Sequence, residues 1–255
     1  MRLSSVGYRS VMSRFEIWIN NYYHMHGGNR ALHVLRDELL VRDVEAWMAY
    51  ERHDPDAVAV YPEITGNNPG NHDKVTRWLL NTPTQPLPRD PTWAWEKNMG
   101  EDKLLTVNII ELDLFRPSSK SRRGTAYWVG KGALDPSVLP TGSVEINRGN
   151  YTTRAEVAEL LSTVQYLISF DPFTAMNLEA TLCGTPVLIQ GQHPVMTRQQ
   201  IIEHNWIPFG VAWDMEELDE ARREVHLAWD HYRSLLPVFS RRVDEFVEKT
   251  TRLYG

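Results

Sequence analysis

Cysteine is nearly absent. Cys183 is the one thiol among 255 residues, so no internal disulfide can form and a reducing compartment suits the chain. Long hydrophobic runs are missing as well: uninterrupted apolar stretches are as short as Val187-Leu188-Ile189, against the roughly 20 residues that a membrane-spanning helix needs. There is no excess of positive charge. The 27 basic and 33 acidic residues leave a net charge of −6, which gives no electrostatic case for nucleic acid or an anionic membrane surface. Arg2, Arg9 and Arg14 come without an apolar stretch of the signal-peptide kind. The resulting expectation is a soluble, cytoplasmic protein.

What is present is a 42% hydrophobic composition with nine tryptophans, enough for one large domain or two small ones. The pattern alternates strands and helices. Residues 15–20 read as a strand, followed by a loop with Gly27-Gly28 and a helix capped by Asn29 with Leu32, Leu35 and Leu39 on one face. Val44, Ala46 and Met48 alternate as a strand, and the run Ala57–Tyr61 reads as a parallel strand covered on both sides. Val75, Trp78 and Leu79 have helical spacing, residues 82–91 hold four prolines and read as a loop, and residues 104–110 return as a strand. The polar segment 115–124 reads as a linker.

The rhythm then restarts. Strands are expected at 125–129, 143–146, 165–170, 186–190 and 209–213. Thr153-Arg154-Ala155-Glu156 is a capping-box sequence opening a helix. A long helix capped by Asp214 is interrupted at Pro237, and a last helix restarts at Ser240. This predicts an α/β protein with two Rossmann-like doubly wound domains facing across a cleft: 1–114, a linker at 115–124, and 125–255.

The most informative stretch is Ser169 to Val187. It reads as a strand end, a turn with Asp171-Pro172-Phe173, a short helix N-capped by Thr174, and Gly184-Thr185-Pro186 before the next strand. Helix N-termini attract anions, because their first N–H groups lack partners and the dipole is positive there. A diphosphate therefore fits the amides near Phe173 and Thr174. Glu179 lies roughly 7–8 Å further along the helix, about one ribose beyond. Asp171, poorly suited to touching phosphate, is better used to accept from hydroxyls.

Asp171, seven intervening residues and Glu179, with Phe173 and Gly184-Thr185-Pro186-Val187 in register, resemble the acid-to-Glu signature of retaining glycosyltransferases of the two-Rossmann-domain architecture (GT-B). That group usually has Glu where Asp171 stands. Residues 111–117 resemble its inter-domain crossing, Val129-Gly130-Lys131-Gly132 its diphosphate-contacting loop, and Gly27-Gly28 its glycine-rich N-domain loop. The Arg that usually precedes Lys131 is missing, leaving Lys131 alone or with Arg123 or Arg148.

The resemblance implies transfer of a sugar from a nucleoside-diphosphate sugar (UDP-, GDP- or dTDP-linked) to an acceptor hydroxyl on a glycan, protein or lipid-linked compound. Anomeric configuration would be retained and no metal used. Asp171 and Glu179 would act at the donor, with Gly27, Gly28, Gly130, Lys131, Pro172, Phe173 and Thr174 binding it.

Plainer readings stand beside these. Glu179 suits a solvated helix face, Asp171 an ordinary Asp-Pro turn, and Lys131 a surface turn. His24 and His26 are expected to be metal-free loop residues, and Asp54-Pro55-Asp56 a turn before a strand. Trp78 is expected in the core, while Trp93 and Trp95 are candidates to line an acceptor cleft. A non-catalytic nucleotide- or glycan-binding module on a trimmed scaffold is the alternative function. An epimerase-like or phosphorylase-like enzyme ranks behind both.

Overall fold

A computed structural model of the chain describes residues 13–19, 26–83, 85–96, 103–147, 149–192, 197–204 and 208–255. The chain divides into two compact units. One comprises Met1–Ile109 with Pro237–Gly255, the other Ile110–Leu236. The expected linker 115–124 thus falls within the second unit, and the last 19 or so residues group with the first rather than with the half that precedes them.

The first unit is built on β1 (Phe15–Ile17), α1 (Gly27–Val41), β2 (Ala46–Met48), β3 (Val58–Pro62), β4 (Lys74–Leu79) and β5 (Thr92–Ala94). The strands are all parallel, in the order β2-β1-β3-β4-β5. Alternate side chains leave opposite faces of a strand. Phe15, Ile17, Val58, Val60 and Trp78 meet Leu32, Leu35 and Leu39 of α1 and Phe246 near the chain's end in one buried cluster. Burying each large apolar side chain contributes about 1.5–3 kcal/mol.

The opposite face carries Glu16, Tyr61 and Arg77, all fully buried, with Ala59 and Val75. Parallel strands are usually joined by helices, yet no helix lies between β2 and β3 or between β3 and β4. The crossover segments themselves cover this face. Arg77 donates to the carbonyl oxygens of Thr65 and Asn67, the latter at 3.1 Å, and to Asp90 Oδ2 at 2.7 Å.

Residues 74–79 are therefore a strand, not the expected helix. Their spacing suits either period, and both faces are buried because the loop carbonyls satisfy Arg77. Residues 104–110 supply only an isolated bridge, Leu104 with Ala94, instead of a full strand. Helix α1 starts at Gly27 with His26 as N-cap, so Asn29 lies inside it.

The second unit contains β6 (Thr125–Trp128), β7 (Val144–Glu145), α2 (Arg154–Leu161), β8 (Tyr166–Ser169), α3 (Ala175–Leu182), β9 (Val187–Ile189), α4 (Arg198–His204), β10 (Val211–Ala212) and α5 (Leu218–Glu224). Its parallel strands run β10-β9-β8-β6-β7. The Thr153–Glu156 capping box is formed as expected: Thr153 Oγ1 accepts from Glu156 N, and Glu156 Oε2 accepts from Thr153 N.

Arg122 fastens the C-terminal ends of α2 and α3 together. Its guanidinium donates to Leu161 O and Val164 O at 3.1 Å each, to Cys183 O at 2.6 Å, and to Thr185 Oγ1. Pro237 does not break the last helix. α6 runs unbroken from Leu227 to Tyr254, and Pro237 marks only where the two units divide. Among the described residues no helix is long and apolar enough to cross a membrane.

Candidate functional site

In each sheet the first strand of the unit lies beside the third, with the second strand outside it: β1 beside β3, and β6 beside β8. The chain reverses its direction of travel across the sheet between those neighbours, and such switch points leave a crevice at the strand C-terminal ends. In the second unit that crevice is bounded by the turn 129–132 after β6 and by residues 170–174 after β8.

The two loops are stitched together by Asp171, which is only 5% exposed. Its Oδ2 accepts from Lys131 N at 3.1 Å and its Oδ1 from Phe173 N at 3.2 Å. Asn177 Nδ2 donates to Asp171 O at 3.0 Å and to Pro172 O at 3.3 Å, and Ser169 Oγ donates to Asp171 O at 2.9 Å. These bonds hold the turn that delivers the chain to α3, whose N-cap is Thr174 as expected, with its side chain accepting from Met176 N.

Glycine is required where the loops meet. A Cβ on Gly132 would lie 1.8 Å from Phe170 O, and one on Gly191, after β9, would lie 1.9 Å from the same atom. Gly130 has φ +56 and its Cβ would fall 2.6 Å from Asp171 Oδ2. The Phe170 carbonyl is thus pressed between two glycines, and three loops converge on the strand ends of β6, β8 and β9. Beside them lies a cavity of about 400 Å³ whose lining includes Gln190, Gly191, Arg198 and Trp213. Lys131 is exposed on its turn, and so is Arg123. Arg148 lies outside the described residues.

Glu179 sits on the second turn of α3 but does not reach solvent. Arg154 Nη2 donates to its Oε1 at 2.5 Å and Nη1 to its Oε2 at 3.0 Å, within a pair that is 7% and 1% exposed. Arg154 also stacks over Phe115, 4.3 Å from the ring centroid, and its Nε reaches Glu111 Oε1 at 3.4 Å. Burial alone would lower the guanidinium's pKa, but the charge and hydrogen bonds of Glu179 outweigh it, and the pKa stands above its ordinary value. A solvated helix glutamate is therefore excluded.

In the first unit, Gly27 and Gly28 form the opening turn of α1 rather than a loop. A Cβ on Gly28 would make only ordinary contact with Leu80 at 3.6 Å. Trp78 is in the core, as expected. Trp93 is core too, packed edge-on against Phe246 at 5.2 Å, and Trp95 lies against the same cluster and Trp78. Trp93 is therefore not available to line an acceptor cleft. Asp54-Pro55-Asp56 is the expected turn, with Asp56 N donating to Asp54 Oδ1 at 3.1 Å. His24 lies outside the described residues.

Sequence reasoning missed Arg154 and Asn177. Arg154 stood inside the capping-box tetrad but showed no sign of its partner, and nothing local marks Asn177 as the residue that pins the turn.

The architecture and this turn define a class: an α/β protein of two parallel five-stranded, Rossmann-like sheets, with a helix N-terminus and a glycine-bounded crevice at the second switch point. No protein-family model matches the chain, and no curated protein matches it.

Proposed function

We propose that the chain is a glycosyltransferase of the retaining GT-B kind, moving a sugar from a nucleoside diphosphate to an acceptor hydroxyl. The observation that carries this reading is the convergence of the Gly130-Lys131-Gly132 turn and the Asp171–Thr174 turn at the switch point of the second sheet. A diphosphate there meets the positive end of α3 and the exposed Lys131. Loss of the diphosphate and the oxocarbenium-like charge on the sugar are then met by groups already fixed in place. Phe173 N is engaged by Asp171, so the phosphate contacts fall to the amides of Thr174 and Ala175. Asp171, oriented by the backbone donors of Lys131 and Phe173, is the group placed to accept from sugar hydroxyls. Glu179, expected at the ribose, is closed to solvent on Arg154 and does not touch it directly; the pair braces the helix whose first amides face the phosphate. The leaving phosphate deprotonates the acceptor, and the family resemblance implies no side-chain nucleophile.

One observation favours the alternative, a nucleotide- or glycan-binding module. Both carboxylates already have protein partners, Asp171 in the turn and Glu179 on Arg154, and such carboxylates serve binding without requiring turnover.

A mass-spectrometric screen of nucleoside-diphosphate-sugar hydrolysis separates the readings, run on wild type, Lys131→Ala and Asp171→Asn. Slow hydrolysis of one donor, reduced about 10²- to 10³-fold in the variants, supports the transferase. Donor binding by calorimetry with no hydrolysis supports the module. Rates unchanged in both folded variants sink the assignment of this site.

A further inference from the structure

The loop-covered face of the first sheet holds a second constellation, independent of the donor site. Glu16 on β1, His53 in the β2–β3 crossover and His72 in the β3–β4 crossover bring one carboxylate and two imidazoles together. Their ligand atoms lie within 4.8 Å of one another. His53 Nδ1 is 3.0 Å from Glu16 Oε1, and His72 Nε2 is 3.3 Å from Glu16 Oε2. The Glu16 and His72 side chains are fully buried, while His53 is half exposed.

The hydrogen bonds around His72 fix where its proton lies. Asn68 Oδ1 accepts from His72 N at 3.0 Å, and Asn68 Nδ2 donates to His72 O at 2.7 Å, so the amide has one orientation. Tyr61 O–H must then donate to Asn68 Oδ1 at 2.9 Å, while its oxygen accepts from Gly70 N at 3.1 Å. The phenol has no second proton to give. Its 3.2 Å contact with His72 Nδ1 therefore requires Nδ1–H as the donor. In the neutral ring that leaves the Nε2 lone pair 3.3 Å from a carboxylate oxygen in a dry interior. Nε2 has no hydrogen-bond partner. Glu16 Oε2 also accepts from Asp54 N at 2.7 Å; the carboxylate charge beside that lone pair is relieved by a cation, either a proton on Nε2 or a metal ion.

We propose that Glu16, His53 and His72 bind a divalent first-row transition-metal ion of the zinc class, with a position left open to solvent beside His53. A buried imidazole whose other nitrogen donates to a fixed partner is the usual second shell of a metal-ligating histidine. Ligand bonds of about 2.0–2.1 Å at tetrahedral angles put ligand atoms about 3.3–3.4 Å apart. Here the imidazole nitrogens lie 3.0 and 3.3 Å from different oxygens of Glu16, with one ligand atom from each residue inside 4.8 Å, so side-chain adjustments close the shell. Two neutral imidazoles and one carboxylate suit zinc better than calcium or magnesium, which prefer all-oxygen shells. The ion would tie both helix-free crossovers to β1. The expectation of no metal rests on His24, His26 and Asp54-Pro55-Asp56; Glu16, His53 and His72 are scattered through the chain, with no short motif to join them.

The test uses the full chain stripped with chelator and titrated with zinc chloride, followed by calorimetry and thermal melting, with Co²⁺ substitution read by visible absorption. The expected result is one ion per chain and a raised melting temperature. His53→Ala, at a half-exposed position, should weaken zinc binding at least 10- to 100-fold. Tyr61→Phe, which removes the partner of Nδ1–H, should weaken it about 10- to 100-fold. Absence of zinc uptake by wild type overturns the proposal. So does uptake that is equal in His53→Ala, or a bound Co²⁺ spectrum without nitrogen ligation.

Discussion

Arg154 and Glu179 form a bidentate ion pair with both partners closed to solvent. Removing one member leaves the other as an uncompensated buried charge, costing about 3–5 kcal/mol. Arg154→Met and Glu179→Leu should each destabilise the protein by that order in urea denaturation. The double variant should lose much less than the two single losses added together. Additive losses would show that the pair is not energetically coupled, and Arg154 would then not be what holds Glu179.

Gly132→Ala tests the convergence of loops. Its Cβ would lie 1.8 Å from Phe170 O, a backbone atom that cannot swing aside. The loop must shift, at a cost of about 1–3 kcal/mol or more. Donor binding should fall with it, since the Lys131 N to Asp171 bond shares that turn. Gly142→Ala provides the contrast. Nothing lies within 4 Å of its added carbon, though its φ of +81 still costs some stability, and donor binding should be unaffected.

Cys183 should be silent in the native protein. Burial pushes its thiol up to about 12 from an ordinary 9.0, and only the thiolate reacts readily. Alkylation at pH 8 should label the chain only after unfolding. Because the folded-state pKa is raised, the thiol's contribution to stability is complete below about pH 9. It is lost as pH rises through about 12. Prompt labelling of folded protein at pH 8 would contradict the burial.

Thr153→Ala should weaken α2 by about 0.5–2 kcal/mol, because Thr153 Oγ1 caps Glu156 N in a closed capping box. Thr153→Ser should restore most of the loss. Chemical denaturation of the two variants side by side decides this.

Local signals were legible in the sequence. The Thr153–Glu156 box and the Thr174 cap could be read because both partners sit within three residues of each other. The strand at Val58–Pro62 could be read because a continuous apolar run at that length has few alternatives. β4 was misread since Val75, Trp78 and Leu79 fit a helical period equally well. What makes the segment a strand is the set of Thr65, Asn67 and Asp90 oxygens that accept from Arg77, and no local pattern announces them. The same limit hid the grip of Arg154 on Glu179 and the meeting of Glu16, His53 and His72, each of which exists only after distant segments come together.

Arg122 gives the second unit a shared latch. Because one guanidinium terminates α2 and α3 at once, fraying at either end is not a private event. Replacing that side chain should release amide protons from both stretches in parallel, which would mark them as one cooperative opening unit, not two.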